Sequence, residues 1–151
     1  MPKLLLFVCT GNTCRSPMAE GLARDWIEKN QIGGLEIMSA GTFAQEGHPT
    51  SLETVMALKT LGVGFHGTST PLTVELVDRA SVVICMTNQH CDHVLMLAND
   101  TTSVELLDPT RETIDPIGCD QSVYDDLAAT MYKQIPTRLE EIMKRSEFKE
   151  E

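Results

Sequence analysis

Residues 8–17, VCTGNTCRSP, place a cysteine between a predicted strand and a predicted helix. The apolar run 4–8 before them is typical of a buried strand, and the amphipathic stretch 17–29 after them predicts a helix. Backbone N–H groups in such a turn, and in the first helical turn, have no partner within the helix, so they can converge on an anion. We therefore expect a strand that leads directly into a helix and a phosphate-sized anion at their junction.

The rest of the chain alternates in the same way, which indicates a single α/β domain over residues 1–151. Further strands are predicted at 35–40, 81–85 and 104–107, and further helices at 50–61, from 70 or 73 to 79, at 89–97 and at 122–145. We expect Thr50 to cap the second helix, Pro136 to kink the last one, and residues 146–151 to be frayed. These elements predict a four-stranded parallel sheet covered by helices on both faces, whose ligands bind at the carboxyl ends of the strands.

The composition limits the kinds of partner that we expect the protein to bind. The chain has a formal net charge of −10 and no basic cluster, which argues against nucleic acid or an anionic membrane as a partner. It carries no leader-like segment and no membrane-length apolar run, so we expect a cytoplasmic monomer. Its five cysteines include no C-x-x-C pair, which argues against a structural metal and a disulfide framework, and we expect no cofactor.

The spacing Cys9-x5-Arg15, followed by Ser16, fits a loop that wraps a phosphate group. The Cys9 thiolate would lie beneath the phosphorus, and the Arg15 guanidinium would bind two oxygens. Gly11 permits close backbone approach and a positive φ, and Asn12 tolerates the left-handed region. The alternative reading makes Cys9 a buried packing residue. A nucleotide-binding P-loop is disfavoured, because no Gly-Lys-Ser/Thr follows the glycine.

The sequence resembles the low-molecular-weight protein tyrosine phosphatase family, and most of all its bacterial protein-arginine phosphatase branch, over nearly the whole chain. The motifs that carry this resemblance are the loop itself, Ser39-Ala40-Gly41, residues 66–80 with Pro71-Leu72-Thr73, Met86-Thr87-Asn88-Gln89-His90, and Asp115-Pro116-Ile117-Gly118 with Tyr124. The resemblance implies a cysteine-dependent phosphatase that acts on phosphorylated proteins and releases inorganic phosphate. It also implies that the substrate is bound by Thr10, Gly11, Asn12, Thr13, Cys14 and Ser16.

Two Asp-Pro pairs compete for the role of general acid that displacement by a thiolate needs. The pair at Asp115 matches the family motif in position and in the residues that follow it, so we assign Asp115 as the acid. Asp108-Pro109 closes the fourth strand and is typical of an Asx turn. The alternative for Asp115 is a turn of the same kind.

The resemblance further implies a hydrogen-bonded network of Asn12, Ser16, Ser39 and His66 that supports the loop. The remaining histidines, His48, His90 and His93, are interpreted as capping or surface residues.

The cysteines other than Cys9 have more than one possible role. Cys14 lies in the loop with Cys9 and is a redox candidate, since a disulfide would protect the nucleophile; a small buried residue is the other interpretation. Cys85 and Cys91 invite comparison with the related arsenate reductases, although Cys85 is expected to be a core residue. Cys119 has no assigned role.

Thr13 carries the prediction of which phosphate is cleaved. It is typical of the arginine-phosphatase branch, whereas the phosphotyrosine enzymes have a bulky aliphatic residue there. Ile117 and the pair Gln45-Glu46 replace aromatic residues expected around a phosphotyrosine ring, so phosphoarginine is favoured and phosphotyrosine is the alternative. An arsenate reductase and a non-catalytic phosphate-binding module are weaker alternatives, and a mere packing role for Thr13 stays open.

Overall fold

The structure is a computed structural model that describes residues 2–148. Its strands are β1 (Lys3–Cys9), β2 (Leu35–Gly41), β3 (Ala80–Cys85) and β4 (Ser103–Leu106). Its helices are α1 (Arg15–Lys29), α2 (Leu52–Thr60), α3 (Val74–Arg79), α4 (Asn88–Leu97) and α5 (Gln121–Met143), followed by a 3-10 turn at Ser146–Phe148. The predicted order of elements is confirmed.

The four strands form one parallel sheet in the order β2-β1-β3-β4, as the predicted fold class requires. Side chains of successive strand residues alternate between the two faces, and each face has its own apolar cluster. One cluster joins the sheet to α1, α2 and α5, and the other joins it to α3 and α4. Because both faces are covered, β1 is a nearly continuous apolar run at the centre of the sheet, and its carboxyl end opens onto the loop 10–14.

Helix α2 differs from its predicted form. Its cap is Ser51, whose Oγ accepts the Thr54 N–H, rather than Thr50. Its buried face is not its most apolar one: Leu58 is buried, but Leu52 and Met56 are exposed, while Thr54 and Ala57 are buried. Small side chains at these positions allow α2 to approach its neighbours α1 and α5 closely, so packing overrides the apolar pattern.

The end of the chain is helical. Helix α5 continues through Pro136, and the kink expected there stays a prediction. Residues 146–148 form a 3-10 turn, with Phe148 packed against the core. Their expected fraying stays a prediction, and residues 149–151 lie outside the described part. Among the helices described, none has the length and apolar character needed to cross a membrane.

Candidate active site

The loop 10–14 is held by its carbonyl groups. The Cys9 carbonyl accepts the Thr42 N–H at 2.9 Å, and the Thr10 carbonyl accepts the N–H of the next residue, Phe43, at 3.0 Å. On the other side of the loop, the Thr13 carbonyl accepts the N–H of Ser51 at 2.9 Å. Within residues 2–148, no backbone N–H of residues 10–14 donates a hydrogen bond. The anchored carbonyls thus leave a row of free N–H groups, which is the arrangement that binds an anion.

Two residues allow the loop its tight path. Asn12 has φ of 57°, in the left-handed region, whereas Gly11, to which a positive φ was also assigned from the sequence, is not among the residues with positive φ. Gly41 at the end of β2 is needed for a different reason. A Cβ there would lie 2.4 Å from the Thr10 carbonyl oxygen and 3.0 Å from the Asn12 nitrogen. Only glycine lets β2 pack directly against the loop.

A chain of hydrogen bonds leads to the Cys9 sulfur, and the Asn12 amide fixes the directions of its first bonds. The Asn12 amide nitrogen donates both protons, to Ser16 Oγ at 2.8 Å and to Ser39 Oγ at 2.9 Å. Since Asn12 Oδ1 accepts the Thr70 N–H at 2.8 Å, the amide cannot be turned over. Ser16 is then free to donate its hydroxyl proton to Cys9 Sγ at 2.8 Å. The network thereby places a hydroxyl that can donate to a thiolate beside a cysteine that is only 3% exposed.

The other end of this network is Glu20 and not His66. Ser39 donates to Glu20 Oε1 at 2.6 Å, while the second Glu20 oxygen accepts Arg24 Nε at 2.7 Å. His66 is exposed, and its imidazole makes no hydrogen bond within the part of the chain described. The inclusion of His66 is therefore corrected: in the described residues, Ser39 bonds to the Glu20 carboxylate of α1 and not to His66. Glu20 was missed because its i,i+4 pairing with Arg24 is typical of a helix surface.

Arg15 and Asp115 face each other across the mouth of the loop. The Arg15 guanidinium is buried, and its Nη1 donates to the Thr113 carbonyl at 3.1 Å. Its Nη2 lies 3.6 Å from Asp115 Oδ2. The other Asp115 oxygen accepts the Ile117 N–H at 3.1 Å, which is an Asx turn. The fold therefore brings the candidate acid to the candidate nucleophile loop.

Asp108 also forms the Asx turn expected of it, with its Oδ1 accepting the Thr110 N–H at 2.9 Å. Its contacts run to Thr110, Arg111 and Gln134 rather than to the loop. Between the two Asp-Pro pairs, only the one at Asp115 has its carboxylate beside Arg15.

His90 contributes more than the helix cap predicted for it. It forms a capping box with Thr87: its Nδ1 accepts the Thr87 N–H at 3.2 Å, while its own N–H donates to Thr87 Oγ1 at 3.2 Å. Its Nε2 lies 2.8 Å from Thr10 Oγ1. Burial, and next the nearby Arg15 charge, lower the pKa of His90 to about 4. The imidazole is therefore neutral at physiological pH and touches the candidate loop.

Thr13 and Cys14 lie on the side of the loop that faces α2 and α5. Thr13 is half-buried, and its Oγ1 lies 3.8 Å from Cys14 Sγ. Cys14 Sγ lies 3.5 Å from both Ser51 Oγ and Tyr124 OH. Burial and the contact with Cys14 raise the pKa of Tyr124, so its hydroxyl keeps its proton. The redox role of Cys14 stays a prediction.

An aromatic side chain that sequence reasoning overlooked stands beside the loop. Phe43 is 76% exposed, and its ring meets that of His93 edge-on with centroids 5.8 Å apart. The Phe43 N–H donates to the Thr10 carbonyl, which places this residue next to the nucleophile loop. The walls are consequently less poor in aromatic surface than Gln45-Glu46 and Ile117 had indicated. The signal in the sequence was Phe43 itself, an aromatic residue two positions before Gln45.

The remaining cysteines differ in how deeply they are buried. Cys85 packs in the core, as predicted, and a hydrogen bond with Cys91 together with burial raises the pKa of Cys85. Cys119 is exposed, and the five cysteines are all free thiols. The described residues contain no cluster of three or more His, Cys, Asp or Glu side chains suited to a metal ion.

The fold and the site together define a class of protein. Its members carry a thiol and a buried arginine on one anion-binding loop, which follows the first strand of a parallel sheet. Residues 4–148 match the family described as low molecular weight phosphotyrosine protein phosphatase. The chain belongs to this family of phosphatase enzymes.

Two curated relatives are called protein-arginine-phosphatase. The one from Geobacillus stearothermophilus is 45% identical over 95 residues, which are 63% of this chain and 62% of that protein. The one from Bacillus subtilis strain 168 is 33% identical and matches 93% of this chain and 92% of its own length. A solved structure of the YwlE arginine phosphatase, a cysteine-to-serine mutant with a phosphorylated active-site serine, superimposes with a TM-score of 0.89 at 28% identity, covering 97% of this chain and 99% of that one.

Proposed function

We propose that this protein is a cysteine-dependent phosphatase that hydrolyses phosphoarginine in proteins through a cysteinyl-phosphate intermediate. The observation that carries the proposal is the meeting of Cys9, the free N–H groups of residues 10–14, Arg15 and Asp115 at one mouth. We further propose that it acts as a monomer in the cytoplasm; the five free thiols support a reducing compartment and do not bear on the oligomeric state.

In the first step the Cys9 thiolate attacks the phosphorus. The Ser16 hydroxyl, oriented by Asn12, and the loop N–H groups stabilise the negative charge on sulfur. Arg15 binds two phosphoryl oxygens when the substrate displaces its contact with Asp115. The P–N bond breaks and its electron pair stays on nitrogen, which takes a proton from the Asp115 carboxyl group, so that arginine leaves as a guanidinium.

In the second step a water molecule attacks the phosphorus of the cysteinyl-phosphate. The Asp115 carboxylate, now without its proton, accepts a proton from that water. The S–P bond breaks, its electron pair returns to the Cys9 sulfur, and inorganic phosphate leaves the loop. The enzyme is then back in its starting state, and no cofactor is consumed. A related enzyme whose cysteine is replaced by serine carries a phosphorylated active-site serine, which supports attack from this position.

Thr13 and Asp115 support phosphoarginine over phosphotyrosine. The Thr13 hydroxyl has only a 3.8 Å contact with the weak partner Cys14 Sγ, so it retains capacity to hydrogen-bond a guanidinium N–H. Asp115 adds a carboxyl oxygen at the same mouth that can accept a guanidinium N–H. The two arginine-phosphatase relatives add support. Phe43 favours the phosphotyrosine alternative, because its exposed ring offers stacking surface.

The test compares matched peptides that differ only in carrying phosphoarginine or phosphotyrosine. We expect the wild type to have the higher kcat/KM on phosphoarginine. Thr13→Val, which removes the hydroxyl at almost constant volume, should lower that preference about tenfold, and Thr13→Ile should lower it further. Equal or inverted preference in the wild type would remove the arginine assignment.

The weaker alternatives are separated by cysteine variants. An arsenate reductase with a cysteine relay would lose activity in Cys85→Ser or Cys91→Ser, and phosphatase turnover that survives both changes speaks against it. A non-catalytic phosphate-binding module would release no phosphate at all. Release that is unaffected by Cys9→Ser would contradict the covalent mechanism.

A further inference from the structure

We propose that His90 is a positioning residue for the nucleophile loop, and that its neutral imidazole holds Thr10 by an Nε2–H···Oγ1 hydrogen bond. This contact joins α4 to the first residue after Cys9, and the roles proposed for Cys9, Arg15 and Asp115 do not include it. The proposal rests on the proposed function for its catalytic consequence, but not for its effect on anion binding.

The direction of the bond follows from the capping box. The Thr87 N–H can only donate, so the His90 Nδ1 that it reaches must be an acceptor. In a neutral imidazole the proton then resides on Nε2. His90 therefore donates to Thr10, and Thr10 Oγ1 accepts.

The surroundings keep the ring in this state. The side chain is only 4% exposed, and Arg15 is the nearby positive group that opposes a second positive charge. Asp115, Glu112 and His93 also act on the ring, the two carboxylates favouring its protonation and His93 opposing it. Protonation would in addition turn Nδ1 into a donor facing the Thr87 N–H, which breaks the cap.

The consequence for the loop is a second anchor at its first residue. The Thr10 carbonyl is fixed by the Phe43 N–H, and the side chain of the same residue is fixed by His90. Two anchors at one residue restrict the peptide plane that follows it, so the next N–H keeps its direction toward the anion. Removing His90 leaves Thr10, an exposed residue, held on one side only.

Binding of inorganic phosphate, measured by calorimetry, tests this independently of turnover. We expect His90→Ala to weaken phosphate binding and to lower kcat/KM on the phosphoarginine peptide, each about fivefold to tenfold. His90→Gln, whose amide can donate at the position of Nε2, should recover most of both losses. His48→Ala is the matched control, since that histidine is exposed, and it should change neither quantity more than twofold.

A double-mutant cycle asks whether the effect passes through Thr10. Thr10→Val removes the acceptor at almost constant volume, and Thr10→Ser retains it. We expect His90→Ala and Thr10→Val together to cost no more than the larger single change, whereas fully multiplied losses would overturn the proposal. Unchanged phosphate affinity in His90→Ala would also overturn it. Should His90→Ala not fold, Thr10→Val alone must still weaken phosphate binding, and an unchanged phosphate affinity in Thr10→Val would overturn the proposal.

The result also distinguishes this proposal from the proposed function. If the wild type does not hydrolyse phosphoarginine, but His90→Ala still weakens phosphate binding and His90→Gln restores it, the function fails and the positioning role stands. If turnover is as proposed and His90→Ala leaves phosphate affinity unchanged, only the positioning role fails.

Discussion

The two loops that meet at the site are built in opposite ways. In the nucleophile loop the thiol and the guanidinium are buried, and both carbonyl anchors and side-chain hydrogen bonds hold the chain. In the acid loop, residues 108–120, the Asp115 side chain is 48% exposed. It is held by its own Asx turn and Arg15, and the Thr113 N–H donates at 2.8 Å to the carbonyl of Met86, the residue that follows β3. The anion site is thus preorganised, while the proton donor stays open to substrate and water.

Cys9→Ser is the largest change expected in the buried loop. A serine oxygen is a far weaker nucleophile and leaving group than a thiolate, so turnover should fall to the background rate. Phosphate affinity should stay within about threefold, because the N–H groups and Arg15 remain. Calorimetry with inorganic phosphate and a phosphate-release assay measure the two quantities. Loss of phosphate binding together with turnover would mean that the variant had damaged the cradle and not only the chemistry.

Asp115→Asn is the corresponding change in the exposed loop. The amide cannot give or take the proton, so kcat should fall about 10²- to 10⁴-fold, as is typical when a general acid is lost. The Ile117 N–H can still be accepted by the amide oxygen, which preserves the turn. Asp108→Asn is the matched control and should retain kcat within about twofold. A loss below threefold in Asp115→Asn would transfer the role of acid to another group.

Stability should separate the two loops by a smaller amount. Gly41→Ala puts a Cβ 2.4 Å from the Thr10 carbonyl oxygen, a contact that backbone must move to relieve, and we expect about 3 kcal/mol of destabilisation. Gly118→Ala in the acid loop meets open space but has φ of 79°, which costs an alanine about 1 kcal/mol. Urea unfolding of both variants measures the difference. Equal costs would contradict the tight packing of β2 on the loop.

How far the sequence could predict the structure depends on the kind of contact. The strand runs and the Cys9-to-Ser16 spacing are local patterns, so the sheet and the position of the loop followed from them. Glu20 and Gly41 depend on packing between α1, β2 and the loop, which no local pattern encodes. His90 was interpreted as a cap, and it is one. The bond from its other nitrogen to Thr10 spans 80 residues of sequence and appears only in the folded chain.

His90 lies between the two loops, and its titration makes stability depend on pH. Its pKa is lowered to about 4 in the folded protein from an ordinary 6.5, so the unfolded chain binds the extra proton in that window. The stability present above pH 6.5 is therefore lost as the pH falls toward 4, and about 2 kcal/mol of it by pH 5. His90→Gln should lose about that much less than the wild type between pH 7 and pH 5 in urea unfolding, and His48→Gln should match the wild type. Equal losses in all three proteins would mean that His90 titrates in the folded protein as it does in the unfolded chain. Burial and the Arg15 charge would then not keep the imidazole neutral.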